Sequence, residues 1–385
     1  MKSNYEPLGK HIQLVDYRNS EEVTSTVLGI SIDKEFMPSV ANVIGTDLSR
    51  YKLISKGLFA CNPMHVGRDE RLPIALYEKD SPAIVSPAYF MFEIIDRDIL
   101  NEEYLMMWFR RPEFDRECWF MTDGSVRGGI TWDDLCRIQL PVPPYERQLD
   151  VVESYRAITR RIAMKKEIND NLAKTIKAVF KSWFLDFDAF DGVELVQSQY
   201  GLIPNGWHYE LLGNLCDCVT KGTTPTTLGK DFTDTGINFI KGESINDDHS
   251  FNKTLFAHID DETDELLKRS RIYVNDIVFT IAGTLGKFAL VDGSVIPANT
   301  NQAVAIIRTS KIMPAMLYSY FIGEWQVEFY KRNTQQAVQA NLSLGTIKDL
   351  PILLPDSKGQ DHYMQLVTPL IVGMQNNFSE IERLY

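Results

Sequence analysis

The sequence predicts two mixed α/β (α+β) domains, one a duplicate of the other, separated by long antiparallel coiled-coil spacer helices. Three observations carry this expectation. The chain has 385 residues, beyond the roughly 100–200 of one typical domain. Its two halves repeat one another after about 200 residues, far longer than a solenoid period. Between the copies lies a long stripe of apolar residues spaced alternately by four and three, the pattern of a helical seam. With 44% apolar and 24% charged residues, each half has the composition of a folded domain rather than a disordered one.

The first domain, residues 1–144, opens with Tyr5-Glu6-Pro7-Leu8-Gly9, and the second, residues 200–356, has Tyr209-Glu210-Leu211-Leu212-Gly213 at its start. Residues 84–94 (IVSPAYFMFEI) resemble 299–309 (NTNQAVAIIRT): both place a polar or turn dipeptide before an apolar β-type run. An aromatic-rich helical stretch follows in each half, with Leu105, Trp108 and Phe109 matching Leu317, Tyr320 and Phe321. The closing strands, 135–144 and 347–356, align at the same offset, which places Gln148 on Gln360.

The spacer, residues 145–199, begins with a helix predicted from Tyr145 to Phe184. Its seam is Val151, Tyr155, Ile158, Ile162, then Leu172, Ile176, Val179 and Trp183, with Lys165 and Asn169 in the two middle slots. Polar residues in such a seam fix register or orientation at a cost in stability. A helix of about 38 residues, roughly 55 Å long, exceeds an ordinary core helix. An acidic connection at 185–195 and a Pro204-Asn205-Gly206-Trp207 turn lead into the second domain, the turn placing an aromatic at the entrance. Carried across the repeat, the seam becomes Tyr363, Val367, Leu370, Met374, Asn377 and Ile381 in a C-terminal helix, residues 357–385, an antiparallel partner for the first.

No apolar run approaches the roughly 18–20 residues that cross a bilayer, and the N-terminus lacks a signal-peptide core, so a soluble cytoplasmic chain is expected. The five cysteines are scattered and odd in number, which suits reduced thiols. Cys216 and Cys218 form only a Cys-x-Cys, short of a zinc-site spacing, so no metal is expected. A formal charge of −12 argues on average against binding phosphates, but leaves room for a local basic cleft.

Catalytic signatures are weak. Val142-Pro143-Pro144-Tyr145 has the outline of an amino-methyltransferase motif, yet Val142 cannot accept the hydrogen bond that motif requires, and a double proline between strand and helix explains it better. Gly283-Thr284-Leu285-Gly286-Lys287 falls short of a phosphate-binding loop, with Phe288 where Ser or Thr is needed, and reads as a turn between strands. Pro355-Asp356 lacks the following Glu-x-Lys of a metal-dependent nuclease. No catalytic residue is expected.

Residue types suited to reading DNA cluster in loops. In the second half these are Lys221, Thr223 and Thr224 in a Thr/Pro loop, Lys241 and Glu243 in a polar turn, Thr284 and Lys287, Asn301 and Gln302, and the amide-rich stretch with Gln336, Gln339 and Asn341. Hydroxyls and lysines suit phosphate oxygens, and amides can pair with adenine. The first half offers Lys52, Lys56, Asn62, His65 and Arg68 around a turn, then Ser86, and Arg127 beside Gly128-Gly129.

In their order along the chain these features resemble the specificity (S) subunits of type I restriction-modification systems. The strongest are Pro204-Asn205-Gly206-Trp207, the loop Gly222-Thr223-Thr224-Pro225-Thr226, Asn275-Asp276-Ile277-Val278 leading to Gly283-Thr284-Leu285-Gly286, and Asn341-Leu342-Ser343 before Leu350-Pro351-Ile352. Residues 172–187 (LAKTIKAVFKSWFLDF) also resemble that family's central helix. The resemblance implies a non-catalytic, DNA-binding subunit whose two target-recognition domains each read one half of a split, asymmetric double-stranded site. Its spacer helices would dock modification subunits, two per chain, that bind S-adenosylmethionine and methylate adenine, and restriction and translocase subunits would join them. This chain would bind no cofactor itself. Ile158, Ile162, Leu172, Ile176, Val179, Phe180 and Trp183 are the expected spacer and partner interface. Tyr385 lies about halfway along the C-terminal helix expected by repeat alignment, so the seam near Leu172 to Trp183 is expected to be unpaired and covered by a partner, or completed by another chain. Two other readings compete: an autonomous DNA methyltransferase using Val142 to Tyr145, and an acidic interaction protein that mimics DNA. Neither accounts for the duplication.

Overall fold

The computed structural model describes residues 5–39, 45–64, 66–122, 128–190, 192–327 and 342–384. The chain divides into two compact units, residues 1–159 and 160–385, with the helix Tyr145–Phe184 continuing from one to the other.

In the first unit, β1 (Tyr5–Pro7), β2 (Ile12–Leu14), β3 (Val27–Ile30), β4 (Phe36–Pro38), β5 (Lys52–Ile54), β6 (Phe59–Cys61), β7 (Ile74–Leu76), β8 (Ala83–Val85), β9 (Phe90–Ile94) and β10 (Gln139–Pro141) build three sheets. One is antiparallel in the order β2-β9-β6-β7, and a second runs β4-β3-β8-β5 with β3 and β8 parallel. The strand β1 pairs only with β10, which returns from the far end of the domain.

The second unit repeats this plan. Its strands are β11 (Leu195–Ser198), β12 (Gly201–Pro204), β13 (His208–Leu211), β14 (Cys218–Lys221), β15 (Ile237–Ile240), β16 (Ala257–Ile259), β17 (Ile277–Thr280), β18 (Phe288–Leu290), β19 (Ala298–Thr300), β20 (Val304–Arg308) and β21 (Pro351–Leu354). The order β14-β20-β17-β18 is again antiparallel, β16-β15-β19 again holds one parallel pair, and β13 again closes on β21. Even the place of β5 is kept, by an antiparallel bridge from Ile272 to Ala298.

The reason lies in strands that are apolar on both faces. In β17, Ile277 and Phe279 face one core while Val278 faces another, and in β20 Ala305 and Ile307 alternate with Val304 and Ile306 in the same way. Phe59 and Cys61 alternate with Ala60 in the first unit. Side chains alternate across a sheet with period two, so each antiparallel sheet is the middle of three layers. Helices Glu102–Phe109 and Pro314–Ile322 cover its outer face, burying Leu105, Trp108 and Phe109 in one copy and Leu317, Tyr320 and Phe321 in the other.

The double proline is a strand exit, with β10 ending at Pro141 and the helix starting at Tyr145. Gln148, fully buried, donates from Nε2 to the Pro143 carbonyl at 2.9 Å, and its counterpart Gln360 donates to Pro355 at the same distance. Gln148 also donates to the Ile99 carbonyl and accepts from the Asn101 NH, tying helix to domain.

Within the second unit, the helix Ser357–Leu384 runs antiparallel to the long helix, with Arg161 paired to Glu380, Lys165 to Asn377 and Glu380, and Asn169 to Asn377 and the Met374 carbonyl. The expected unpaired seam is corrected here. Ile176, Phe180 and Trp183 are buried in the unit's own core with Tyr320, Tyr363 and Val367, and Leu172 and Val179 pack against the same cluster. Gly323 sits so close to the Phe180 ring that a Cβ there would lie 2.3 Å from it. Trp207, at the chain's entry into the second domain, turns inward against Phe184, Phe187 and Phe190. Ile162 is buried, while Ile158 is 43% exposed.

Among the described residues, no helix is long and apolar enough to cross a membrane.

Candidate nucleic-acid interface

In the second unit, the C-terminal ends of β14, β15, β17 and β19 release the loops that hold the candidate residues. Gly222 follows β14 directly and donates its NH to the Asn301 carbonyl at 3.0 Å. A Cβ at Gly222 would lie 1.7 Å from the Thr300 carbonyl oxygen, so only glycine lets the two strand ends approach this closely. That approach brings Thr224 Oγ1 to 2.6 Å from Gln302 Oε1, to which it donates. Lys221, exposed, ends the same strand, and Thr223 is half-buried beside it. Arg269, not singled out from the sequence, reaches the Lys221 carbonyl from Nη2 at 3.5 Å; its only sequence signal is the basic run Lys268 to Arg271.

Beside this lies the Lys241–Ser244 turn, tied down by Thr300 Oγ1 donating to the Ile240 carbonyl at 2.7 Å. Lys241 lies over the Phe232 ring at 4.8 Å, with Glu243 3.9 Å from its Nζ. The 281–287 segment is the expected turn between β17 and β18, with Gly283 and Gly286 at φ of +73° and +87°. Thr284 is exposed on it, and Lys287 Nζ is 2.9 Å from Asp247. Asn301 turns its Oδ1 inward to accept from the Ala303 NH at 3.0 Å, leaving Gln302 the exposed amide of the pair. Gln336, Gln339 and Asn341 lie outside the described residues.

The family-like Asn275-Asp276-Ile277-Val278 stretch is structural. Asn275 takes φ +72°, and buried Asp276 holds the Arg308 guanidinium with both oxygens at 2.7 Å.

The first unit brings the Asn62–Arg68 turn against Gly128 and Gly129: Gly67 donates its NH to Gly128, and Ile130 to the Pro63 carbonyl. Asn62 caps this turn by accepting the Met64 NH. Arg68 is exposed but chelated by Asp69, whose carboxylate hydrogen bonds raise the guanidinium pKa. Lys56 stands on a separate turn, 2.7 Å from Asp80, and that hydrogen bond raises its pKa. Ser86 accepts the Ala88 NH in a local turn.

Lys52 is a correction: its side chain is 11% exposed, its Nζ donates to the Tyr89 carbonyl at 2.7 Å and lies 3.6 Å from Asp16, and burial lowers its pKa. A lysine held this way stabilises the β5–β9 region and is withheld from a phosphate. His65 and Arg127 lie outside the described residues. Lys56, Arg68, Lys241 and Lys287 all face carboxylates, so the basic character of both surfaces is masked by the chain's own acids, in keeping with its net charge of −12.

Residues 204–377 match the type I restriction modification DNA specificity domain. The second half is thus similar to a type I specificity domain. The chain is 22% identical over 294 residues to the MjaIX specificity subunit of Methanocaldococcus jannaschii, a match covering 75% of this chain and 66% of that protein. It is 21% identical over 415 residues to the HindI specificity subunit of Haemophilus influenzae, covering 90% of this chain and 87% of that one. Among solved structures, a type I S subunit from M. genitalium superposes with a TM-score of 0.54 at 14% identity, over 100% of this chain and 93% of that one. The matched stretch takes in the three-layer unit with its loops and begins at the Pro204 turn, beside buried Trp207.

Proposed function

We propose that this chain is a DNA specificity subunit: a non-catalytic protein that reads a bipartite, asymmetric double-stranded site and directs adenine methylation and restriction by partner subunits. Its recognition domains are residues 1–144 and 200–356, and its spacers 145–199 and 357–385. The observation that carries the reading is the duplicated topology, the same three sheets and the same glutamine-fastened helix, with different side chains on the equivalent loops. Two copies of one scaffold with unequal loops suit two unequal half-sites.

In the second domain, Lys221, Thr223, Thr224, Lys241, Thr284 and Lys287 contact phosphates, and Gln302 with Glu243 and the amides Asn301, Gln336, Gln339 and Asn341 reach base edges. In the first, Lys56, Asn62, His65, Arg68, Ser86 and Arg127 are the DNA-contacting residues. S-adenosylmethionine resides in two partner modification subunits, which supply the chemistry. The protein acts in the cytoplasm.

Co-expression with a modification subunit, followed by mapping of methylated adenines across a genome, tests this. One split motif with a fixed gap is expected. Methylation without a split motif, or by the purified chain alone, overturns the proposal.

A further inference from the structure

The basic run Lys268 to Arg271 lies beside the candidate loops of the second unit, and its members differ in what holds them. Lys268 lies 3.0 Å from Glu265, and Arg271 lies 2.6 Å from both Asp264 and Glu265. Arg269, between them, is exposed and meets no carboxylate among the described residues. Its Nη2 reaches the Lys221 carbonyl at 3.5 Å, longer than an ordinary N–H···O bond. A guanidinium presents several N–H donors in a planar fork, so nearly all of this one's capacity is unspent.

The backbone beneath Arg269 is pinned. Ser270, 2% exposed, donates from Oγ to Asn299 Oδ1 at 2.7 Å. Asn299, fully buried, donates in turn to the Asp264 carboxylate at 3.0 Å and to the Leu267 carbonyl at 3.1 Å. A satisfied buried network of this kind rigidifies what it joins. Asn299 belongs to β19, whose exit leads to Asn301 and Gln302, so one network fastens both the base of Arg269 and the strand that delivers Gln302. The far end of the side chain meets the carbonyl just before Gly222, the residue that lets Thr224 reach Gln302.

The neighbours divide the work by chemistry. Lys241 and Lys287 on this face are turned toward Glu243 and Asp247. Lys221, exposed, carries a compact charge suited to phosphate, whereas an arginine fork matches two acceptors side by side. Among base edges, guanine alone offers such a pair, O6 and N7.

We infer that Arg269 is a specificity-determining residue, reading a guanine in the half-site of the second domain by a bidentate contact to O6 and N7 in the major groove. The inference rests on the proposed DNA-reading role and names one base of what that domain reads.

The full chain, native or carrying Arg269→Ala or Arg269→Lys, is co-expressed with the modification subunit, and methylated adenines are mapped across a genome. Lysine keeps the charge but not the fork. Both variants are therefore expected to lose the preference for a G·C pair at one position of one half-site, by roughly 5–150-fold, while every other position and the gap stay fixed. Uniform weakening across sites that Arg269→Lys restores would mark a phosphate contact and overturn the inference. So would an unchanged motif, a relaxed position that specifies an A·T pair, or loss of methylation at all sites in both variants. A native chain that yields no split motif overturns the underlying reading, and the inference with it.

Discussion

Replacing Asn169 by Leu in the antiparallel seam should destabilise the second unit, whereas replacing Asn169 and Asn377 together should not. Both amides are buried, at 3% and 7% exposure. Asn377 donates from Nδ2 to Asn169 Oδ1 at 2.7 Å, Asn169 donates to the Met374 carbonyl at 3.2 Å, and Lys165 donates to Asn377 Oδ1 at 2.9 Å. Leu at 169 alone strands the Asn377 donor beside an apolar side chain, at a cost of about 1–3 kcal/mol. Leu at 377 alone strands Asn169 Oδ1, while Lys165 keeps Glu380 at 2.9 Å. The double variant removes both orphaned groups and pairs two leucines, so it should be near neutral or more stable than the native chain. With each single variant costing about 1–3 kcal/mol and the double near neutral, the coupling is about 2–6 kcal/mol, at or above the upper end of the range for directly contacting residues. Because a two-unit chain need not unfold in one step, the assay is hydrogen exchange over residues 160–184 and 357–384. Unchanged protection in Asn169→Leu, or a double variant that loses as much as the two single variants together, would refute the reasoning.

Removing the acid that masks a lysine should strengthen DNA binding: Asp247→Asn frees Lys287 from its 2.9 Å pair, and is expected to tighten non-specific binding and steepen its salt dependence by about one counterion, read by fluorescence anisotropy at several salt concentrations. Gln148→Ala breaks the three hydrogen bonds of a buried amide, to Ile99, Asn101 and Pro143, and should cost about 2–4 kcal/mol, against about 1 for Gln360→Ala, which loses one to Pro355; hydrogen exchange in the unit that holds each glutamine compares them. The Glu380 carboxyl is held below its usual value of 4.5 by hydrogen bonds from Lys165 and Arg161. A depressed carboxylate pKa stabilises the fold above the unfolded-state value and loses that contribution as pH falls through the folded one. Seam protection should therefore fall on acidification below the usual glutamate value, and Glu380→Gln should flatten that dependence.

The duplicated scaffold was legible because the residues that fasten it recur in sequence. Gln148 and Gln360 sit at equivalent positions and make the same bond, and the polar slots Lys165, Asn169 and Asn377 meet one another. Periodicity identified the apolar face of the long helix but not what fills it: Ile176, Phe180 and Trp183 pack on aromatics supplied by the folded unit, including Tyr320 and Tyr363, which a helical stripe cannot specify. The candidate loops were found by residue type, whereas their grouping depends on tertiary approach. Thr224 meets Gln302 because Gly222 lets two strand ends close up, across a separation of 78 residues. Residue type also could not distinguish Lys52, buried and bonded to a carbonyl, from an exposed lysine. The pairing of Lys56 with Asp80 and of Lys287 with Asp247 likewise appears only once the chain is folded.

The central claim, that each copy of the scaffold reads one half of a split site, is tested most directly by exchanging residues 200–355 for the corresponding segment of a relative of different specificity. The swapped chain would be co-expressed with the modification subunit and its methylated adenines mapped. The account predicts that one half of the motif changes while the other half and the gap stay fixed. A motif changed in both halves, or unchanged, would contradict it.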